Sequence, residues 1–128
     1  MTLNYLLDEN VNPVYKVQLL RSSSELVVWM VGDPGAPPKG TLDPEILIWC
    51  GVHNFVLVTN NRTSMPVHLV DHINANRHVP GIFILREQLG IGKNLEELIR
   101  IAELAYDDEF QDQIIFLPHT FSLDRSPR

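Results

Sequence analysis

The chain has 128 residues, a single cysteine and a formal net charge of −6. This length predicts one domain with a continuous core, and the lone Cys50 excludes an internal disulfide framework and fits a reducing compartment. We find no secretory leader pattern and no apolar run near the ~20 residues that a membrane helix needs, so we expect a cytoplasmic protein with no membrane partner. The net negative charge disfavours broad, nonspecific binding to nucleic acid but does not exclude a small polynucleotide site.

The first apolar run, residues 3–7, predicts a β-strand that ends at the acidic turn of residues 8–10. In an open α/β sheet, ligands bind outside the carboxyl ends of the strands, so Asp8 is the strongest candidate for a functional residue. The alternative is that Asp8 only caps the turn. We favour the functional interpretation because Asn12 and Pro13 already supply the start of the next helix.

The middle of the chain alternates strands with helices. Residues 26–31 predict a second strand that is too uniformly apolar to have a solvated face, and the Pro and Gly residues of 32–42 predict a long loop. A short helix over residues 43–49 opens at an Asp-Pro pair, and Gly51 is expected to terminate it. Residues 55–58 predict the third strand.

The next helix opens at Ser64. Its apolar spacing predicts that Val67, Val70 and Ile73 face the core, with Leu69 beside them.

Two histidines of the same helix, His68 and His72, are four residues apart and therefore share a face. Such a pair can bind a transition metal, and Asp71 lies between them. No motif supplies a third ligand, so we interpret this face as solvated.

The last third of the chain predicts a fourth strand over residues 82–85, a helix, a fifth strand over residues 114–117 and a polar tail over residues 119–128. Asn94 and Glu97 resemble a capping pair at the start of the helix. The helix has the clearest amphipathic stripe of the chain, formed by Leu95, Leu98, Ile99, Ala102 and Ala105.

This β-α-β-α-β-α-β-α-β order predicts an α/β protein with a mainly parallel five-stranded sheet covered by helices on both faces, in one domain over residues 1–118. The carboxyl ends of parallel strands meet at one edge, so the polar residues that follow them are expected to converge. Carboxylates from different elements are suitable ligands for Mg²⁺ or Mn²⁺, which can activate water for phosphodiester hydrolysis. The alternative is that these acids are ordinary strand-end and capping residues. The candidates are Asp8, Glu9, Asn10, Asp33, Asp43, Glu45, Thr59, Asn60, Asn61, Arg62, Arg86, Glu87 and His119.

Three segments resemble the signature blocks of the small PIN-like predicted nucleases, which are related to the toxin ribonucleases of bacterial toxin–antitoxin pairs. They are LLDEN (residues 6–10), DPEIL (residues 43–47) and VLVTNNR (residues 56–62). The resemblance covers roughly residues 3–88. It implies a PIN-like three-layer α/β/α fold and Mg²⁺- or Mn²⁺-dependent cleavage of an RNA substrate. It further implies an antitoxin-type protein partner, and it leaves a homo-oligomer open.

The resemblance also implies roles for residues at the matching positions. Asp8 would be the first metal ligand, and Asp43 or Glu45 the second acid. The catalytic set would be Asp8, Asp43, Glu45 and Asn61, with Asp8, Asp43 and Asn61 as metal ligands. The expected substrate contacts are Asn10, Thr59, Arg62 and Arg86.

One departure bears on activity. After the third strand the family usually shows Thr-x-Asp-x-Asp, whereas here Asn61 and Thr63 stand where the two acids are expected. Neutral ligands lower the ligand charge that sets cation affinity. We therefore keep two hypotheses: a ribonuclease with a weakened metal site, and a catalytically inactive PIN-like module that binds a protein or RNA. Glu9, Asp33 and Glu87 are the acids available to compensate.

Two other α/β classes are disfavoured. A phosphoacceptor receiver domain needs an Asp after the third strand and a Lys after the fifth, where this chain has Asn60-Asn61 and Pro118-His119. A Rossmann-type nucleotide module needs a glycine-rich loop after the first strand, which is missing here.

Overall fold

The computed structural model describes residues 3–121. The strands are β1 (Asn4–Leu7), β2 (Val27–Met30), β3 (Val56–Thr59), β4 (Ile82–Ile84) and β5 (Ile114–Phe116). The α-helices of the described residues are α1 (Val14–Ser22), α2 (Asp43–His53), α3 (Met65–Asn74) and α4 (Gly90–Leu104), and a short 3₁₀ helix (Glu87–Leu89) precedes α4.

All five strands are parallel and pair in the order β2-β1-β3-β4-β5, which confirms the predicted α/β class and parallel sheet. Their carboxyl ends define one edge of the sheet, called here the carboxyl edge, and their amino ends define the amino edge. The chain winds outward in one direction from β1 to β2 and in the other from β1 to β3. The point where the strand order reverses therefore lies between the carboxyl ends of β1 and β3, where such sheets bind ligands.

Each face of the sheet carries its own hydrophobic core. Alternate residues of one strand point to opposite faces, so Tyr5 and Leu7 pack with α1 and α4, while Leu6 packs with α2 and α3. All three side chains are fully buried. The helices thus cover both faces, as the continuous apolar strands predict.

The prediction that Gly51 ends the second helix is wrong. Helix α2 continues to His53 and ends at Asn54, which adopts a left-handed conformation (φ 61°). Gly51 instead lies where α2 approaches the segment before β4, because a Cβ at this position would collide with the carbonyl oxygen of His78. Close approach of two backbones is a second reason for a glycine, and spacing alone does not distinguish it from a helix end.

The predicted core face of α3 is wrong for three of its four residues. Val67, Val70 and Ile73 are 60, 56 and 38 % exposed, whereas Leu69 is buried as predicted, together with Met65 and His72. The helix is apolar on two sides, so its sequence does not determine which side packs beside α2.

The histidine pair is consequently split. His72 is buried and its Nε2 lies 3.0 Å from the carbonyl oxygen of His78, so the interpretation of a solvated face is wrong for this residue. His68 remains partly exposed on the side of α3 nearest Asp43.

The capping pair predicted for the last helix does not form. Helix α4 begins at Gly90, so Asn94 and Glu97 both lie inside it. The Asn94 amide bonds the backbone of Arg86, and the Glu97 carboxylate accepts hydrogen bonds from Arg100. Both side chains therefore bond other partners and do not cap the start of the helix.

The predicted polar tail begins at residue 119, and two of its first three residues contact the domain. The His119 N–H donates to Glu97, and the guanidinium of Arg100 lies over the ring of Phe121. Residues 122–128 of the tail lie outside the described residues, as do residues 1–2 of the predicted domain. No helix within residues 3–121 is long and apolar enough to cross a membrane.

Candidate functional site

Asp8 lies directly after β1, beside the point where the strand order reverses. Its backbone N–H donates to the carbonyl oxygen of Val58 (2.9 Å), which extends the β1–β3 pairing by one residue. Its side chain is held from two sides: Oδ1 accepts from the Glu9 N–H (2.8 Å) and Oδ2 from the Thr59 hydroxyl (2.9 Å). The residue is only 8 % exposed, so the carboxylate is oriented and largely shielded from water.

The electrostatic surroundings of Asp8 do not favour its negative charge. Burial raises the pKa of this carboxyl group, and the neighbouring charges of Asp43 and Glu9 raise it further. The hydrogen bonds from Thr59 and from the Glu9 N–H act in the opposite direction but do not offset the rise. A cation at this position would therefore relieve an existing repulsion.

Asp43 belongs to the first turn of α2, and Asn61 connects it to the end of β3. The Asn61 Nδ2 donates to Asp43 Oδ2 (3.1 Å), and the Asn61 N–H donates to the Thr59 hydroxyl oxygen (3.1 Å). Because Thr59 in turn donates to Asp8, one hydrogen-bonded chain joins residues 35 positions apart. We call Asp8, Thr59, Asn61 and Asp43 the acidic centre.

The two aspartates of the acidic centre are of the ligand type that a divalent cation takes. Mg²⁺ commonly takes one or two protein carboxylates and completes its shell with waters or substrate phosphate. Each Asp8 oxygen accepts one hydrogen bond and so retains a second lone pair. Among residues 3–121, no cluster of three His, Cys, Asp or Glu side chains is arranged to hold a metal, so Asp8 and Asp43 are the anionic ligands that this centre offers.

Asn61 does not fit as a third ligand in this arrangement. Its Oδ1 accepts from the Ser64 N–H (3.1 Å), while its Nδ2 faces Asp43 and the Ser64 hydroxyl (2.7 Å). If the amide were flipped, its NH₂ group would face the Ser64 N–H and its oxygen would face the Asp43 carboxylate. The hydrogen bonds therefore select the observed orientation. Asn61 thus serves Asp43 as a hydrogen-bond donor.

Four more of the predicted residues are exposed on α2 or on the segments that follow the strands. Glu45 is exposed on α2, and Asn10 is exposed with its carbonyl oxygen 3.4 Å from the Asn60 amide. The guanidinium of Arg62 lies over the ring of Phe116, 5.5 Å from its centroid, and Arg86 is exposed after β4.

Two of the three acids named as compensating are engaged elsewhere. Asp33 bonds Lys16 (2.7 Å) and the Met30 N–H (2.8 Å), and these donors lower its pKa although burial opposes them. Glu9 accepts from the Gly40 N–H (3.0 Å) and so anchors the loop that leads to α2.

Two residues of the site were not assigned to it from the sequence, although His68 was considered as a transition-metal ligand. Ser64 fixes the orientation of Asn61, and His68 lies with its Nε2 3.7 Å from Asp43 Oδ2. The Asn61-to-Ser64 spacing is a helix-start pattern that could have identified the first. His68 follows one helical turn later, on the face of α3 that meets α2.

What the acidic centre can do chemically follows from its own atoms: two carboxylates from different elements can bind a divalent cation beside a hydroxyl and an amide. Comparison of the chain with protein-family models, curated proteins and solved structures finds no match.

Proposed function

We propose that this chain is a small PIN-like ribonuclease that acts in the cytoplasm and cleaves RNA with Mg²⁺ or Mn²⁺. One observation carries the proposal: the buried Asp8 carboxylate lies near Asp43 at the point where the strand order of the sheet reverses, and burial, with a smaller effect of the Asp43 charge, raises its pKa. Asp8 and Asp43 would hold the ion. When bound, such an ion supplies an activated water and neutralises charge on a phosphodiester.

The residues of the chain have separate positioning roles in this proposal. Thr59 and the Glu9 N–H orient the Asp8 carboxylate, and Asn61 orients that of Asp43. These contacts hold both carboxylates before any ligand arrives, which lowers the entropy cost of forming the site.

Substrate contacts would come from the same edge of the sheet. Arg62 and Arg86 are exposed on the segments that follow β3 and β4, at the carboxyl edge of the sheet. Guanidinium groups suit the phosphates of RNA because they form paired, charge-assisted hydrogen bonds. A toxin of this kind would act with an antitoxin-type protein partner.

The test is cleavage of single-stranded RNA in Mn²⁺ or Mg²⁺ by the wild type and by Asp8→Asn. We expect the variant to lose more than about 100-fold in rate, because removal of a ligand exceeds the 10–100-fold cost of changing its supporting residues. Asp71→Asn, which neutralises an exposed acid on α3, is the matched control and should cleave like the wild type. An inactive wild type, or equal rates for Asp8→Asn, would refute the proposal.

A second function, a catalytically inactive PIN-like module that binds a protein or RNA, is favoured by one observation. The Asn61 amide donates to Asp43 at a position where the resemblance leads us to expect an acid. Calorimetric titration with Mn²⁺ separates the two functions, since tight uptake that depends on Asp8 supports the ribonuclease. Asn61→Asp should tighten Mn²⁺ binding by adding a third carboxylate, and an unchanged affinity would show that this position does not contribute to the ion site.

A further inference from the structure

A groove of about 480 Å³ opens at the carboxyl edge next to the acidic centre. Its walls come from the segments after β1, β3 and β4 and from α1. Asn10 and Asn60 line it, and the Asn60 amide donates to the Asn10 carbonyl oxygen across 3.4 Å. Since Asn60 directly follows Thr59, the groove and the acidic centre share this wall.

The opposite wall is held by a buried amide. Asn94 is 2 % exposed, accepts from the Arg86 N–H (3.2 Å) and donates to the Arg86 carbonyl oxygen (2.9 Å). It also donates to the Tyr15 hydroxyl oxygen (3.2 Å), which leaves the proton of that hydroxyl for another acceptor. Tyr15 and the segment after β4 are therefore fixed relative to each other without a ligand.

The groove has the chemistry of a base site, not of a phosphate site. Within residues 3–121, no Lys or Arg lines it, and the carboxylate of Glu87 would repel a phosphate. The asparagine amides offer both donors and acceptors, as the edges of nucleobases do, and a carboxylate accepts from exocyclic amino groups. Ile91, 42 % exposed, adds an apolar surface on which the face of a base can pack.

We propose that this groove binds an unpaired nucleobase of single-stranded RNA, beside the phosphodiester that the acidic centre holds. Sequence-dependent contacts to RNA go mainly to splayed-out bases of single strands, whose hydrogen-bonding edges are free. This inference adds a base-binding site to the proposed ribonuclease, and it rests on that function for the identification of the bound strand as RNA. The base contact itself requires no metal.

The experiment measures binding of a short mixed-sequence single-stranded RNA in EDTA, against an abasic strand of the same length. We expect the abasic strand to bind the wild type about 10-fold more weakly, the ratio that corresponds to about 1.4 kcal/mol of lost base contact. Asn60→Ala should reduce this base-dependent difference, because Asn60 is exposed in the groove and its loss does not disturb the core. Asn74→Ala, exposed on α3 at the other face of the sheet, is the matched control and should bind like the wild type.

The outcomes separate this inference from the ribonuclease proposal. Equal affinity for the RNA and the abasic strand, or for single-stranded and duplex RNA, would overturn the base site even if the protein cleaves RNA. Base-dependent binding that is lost in Asn60→Ala would support it even if no cleavage occurs with Mn²⁺. Asp8→Asn should retain the base-dependent difference in EDTA, and its loss in that variant would count against a separate base site.

Discussion

The two edges of the sheet shift the pKa of an aspartate in opposite directions. At the carboxyl edge, Asp8 lies beside a second carboxylate, Asp43, and burial raises its pKa. At the amino edge, Asp112 precedes β5 and accepts from His78 Nδ1 (2.6 Å) and from the Val79 N–H (2.9 Å). Partial burial would raise the pKa of Asp112, but these hydrogen bonds and the charge of His78 outweigh burial and lower it.

The difference is between a carboxylate whose charge the fold stabilises and one whose charge it does not stabilise. Asp112 joins the segments that precede β4 and β5, and its charge is matched by donors from the chain itself. Asp8 has donors too, but it is more deeply buried, and the like charges of Asp43 and Glu9 add to the rise in its pKa. Carboxylates in such surroundings are typical of functional sites, where a cation or a proton supplies the missing charge.

The largest expected effect on stability comes from removing the carboxylate of Asp112. Asp112→Ala should lower the free energy of unfolding by about 2–3 kcal/mol, because hydrogen bonds to a charged group contribute about 1.5–3 kcal/mol. Alanine also disfavours the left-handed backbone of this residue (φ 60°). Urea denaturation measures the change, and Asp112→Asn should lose less, because asparagine tolerates this conformation and keeps an acceptor oxygen. Equal stability of Asp112→Ala and wild type would show that this pair contributes nothing to the fold.

A smaller loss is expected where a third carboxylate is added to the acidic centre. In EDTA, Asn61→Asp should cost about 1–2 kcal/mol, since it replaces the hydrogen bond to Asp43 with repulsion between like charges. Asn61→Ala loses this hydrogen bond and the two to Ser64 but adds no charge, so its stability should not depend on Mn²⁺. Mn²⁺ should restore stability to Asn61→Asp but not to Asn61→Ala. Urea denaturation with and without Mn²⁺ measures both, and an equal response of the two variants to Mn²⁺ would mean that the added charge is not important here.

The smallest expected effect is an increase in stability, on replacement of Asp8. Because the folded-state pKa of Asp8 lies above its unfolded value, the native state binds more protons between the two values. The contribution of Asp8 to stability therefore falls as pH rises through this window. Asp8→Asn should melt at a higher temperature than wild type at neutral pH, and the difference should disappear below the ordinary Asp pKa of about 3.9.

A pH series of melting temperatures tests the contrast directly. Asp112, whose pKa is lowered, contributes stability that is present above its unfolded value and lost as pH falls through its folded value. Asp112→Asn should therefore lose stability at neutral pH, where Asp8→Asn gains it. If both variants shift in the same direction at neutral pH, the two edges do not differ as described.

The sequence predicted the strands well because each is a short, continuous apolar run bounded by polar residues. The predicted and observed strands agree to within one residue at either end. Asn12 is correctly placed before α1, where its side chain accepts from the Val14 N–H (3.0 Å). These signals are local, so a single sequence contains them.

The helix faces were harder to predict because packing decides them. Helix α3 has apolar residues on two sides, and only its position beside α2 determines that Leu69 is buried and Val67 is not. Gly51 and Asn94 carry ordinary signals for a helix end and a helix cap, yet Gly51 lies against the distant His78 carbonyl oxygen and Asn94 donates to the distant Tyr15 hydroxyl. Residue type alone does not reveal a partner that folding brings from elsewhere in the chain.

By itself, the sequence determined the α/β order, the parallel sheet and the residues that follow each strand, because apolar periodicity and the rules of parallel sheets act on local patterns. Only the tertiary structure decided that Asp43 approaches Asp8, that the Asn61 amide nitrogen faces Asp43, and that Asn60 and Asn94 enclose one groove. These relations depend on distances between separate elements. Hydrogen bonds and electrostatic repulsion depend on the distances between atoms in different elements, and the amino-acid sequence does not state these distances.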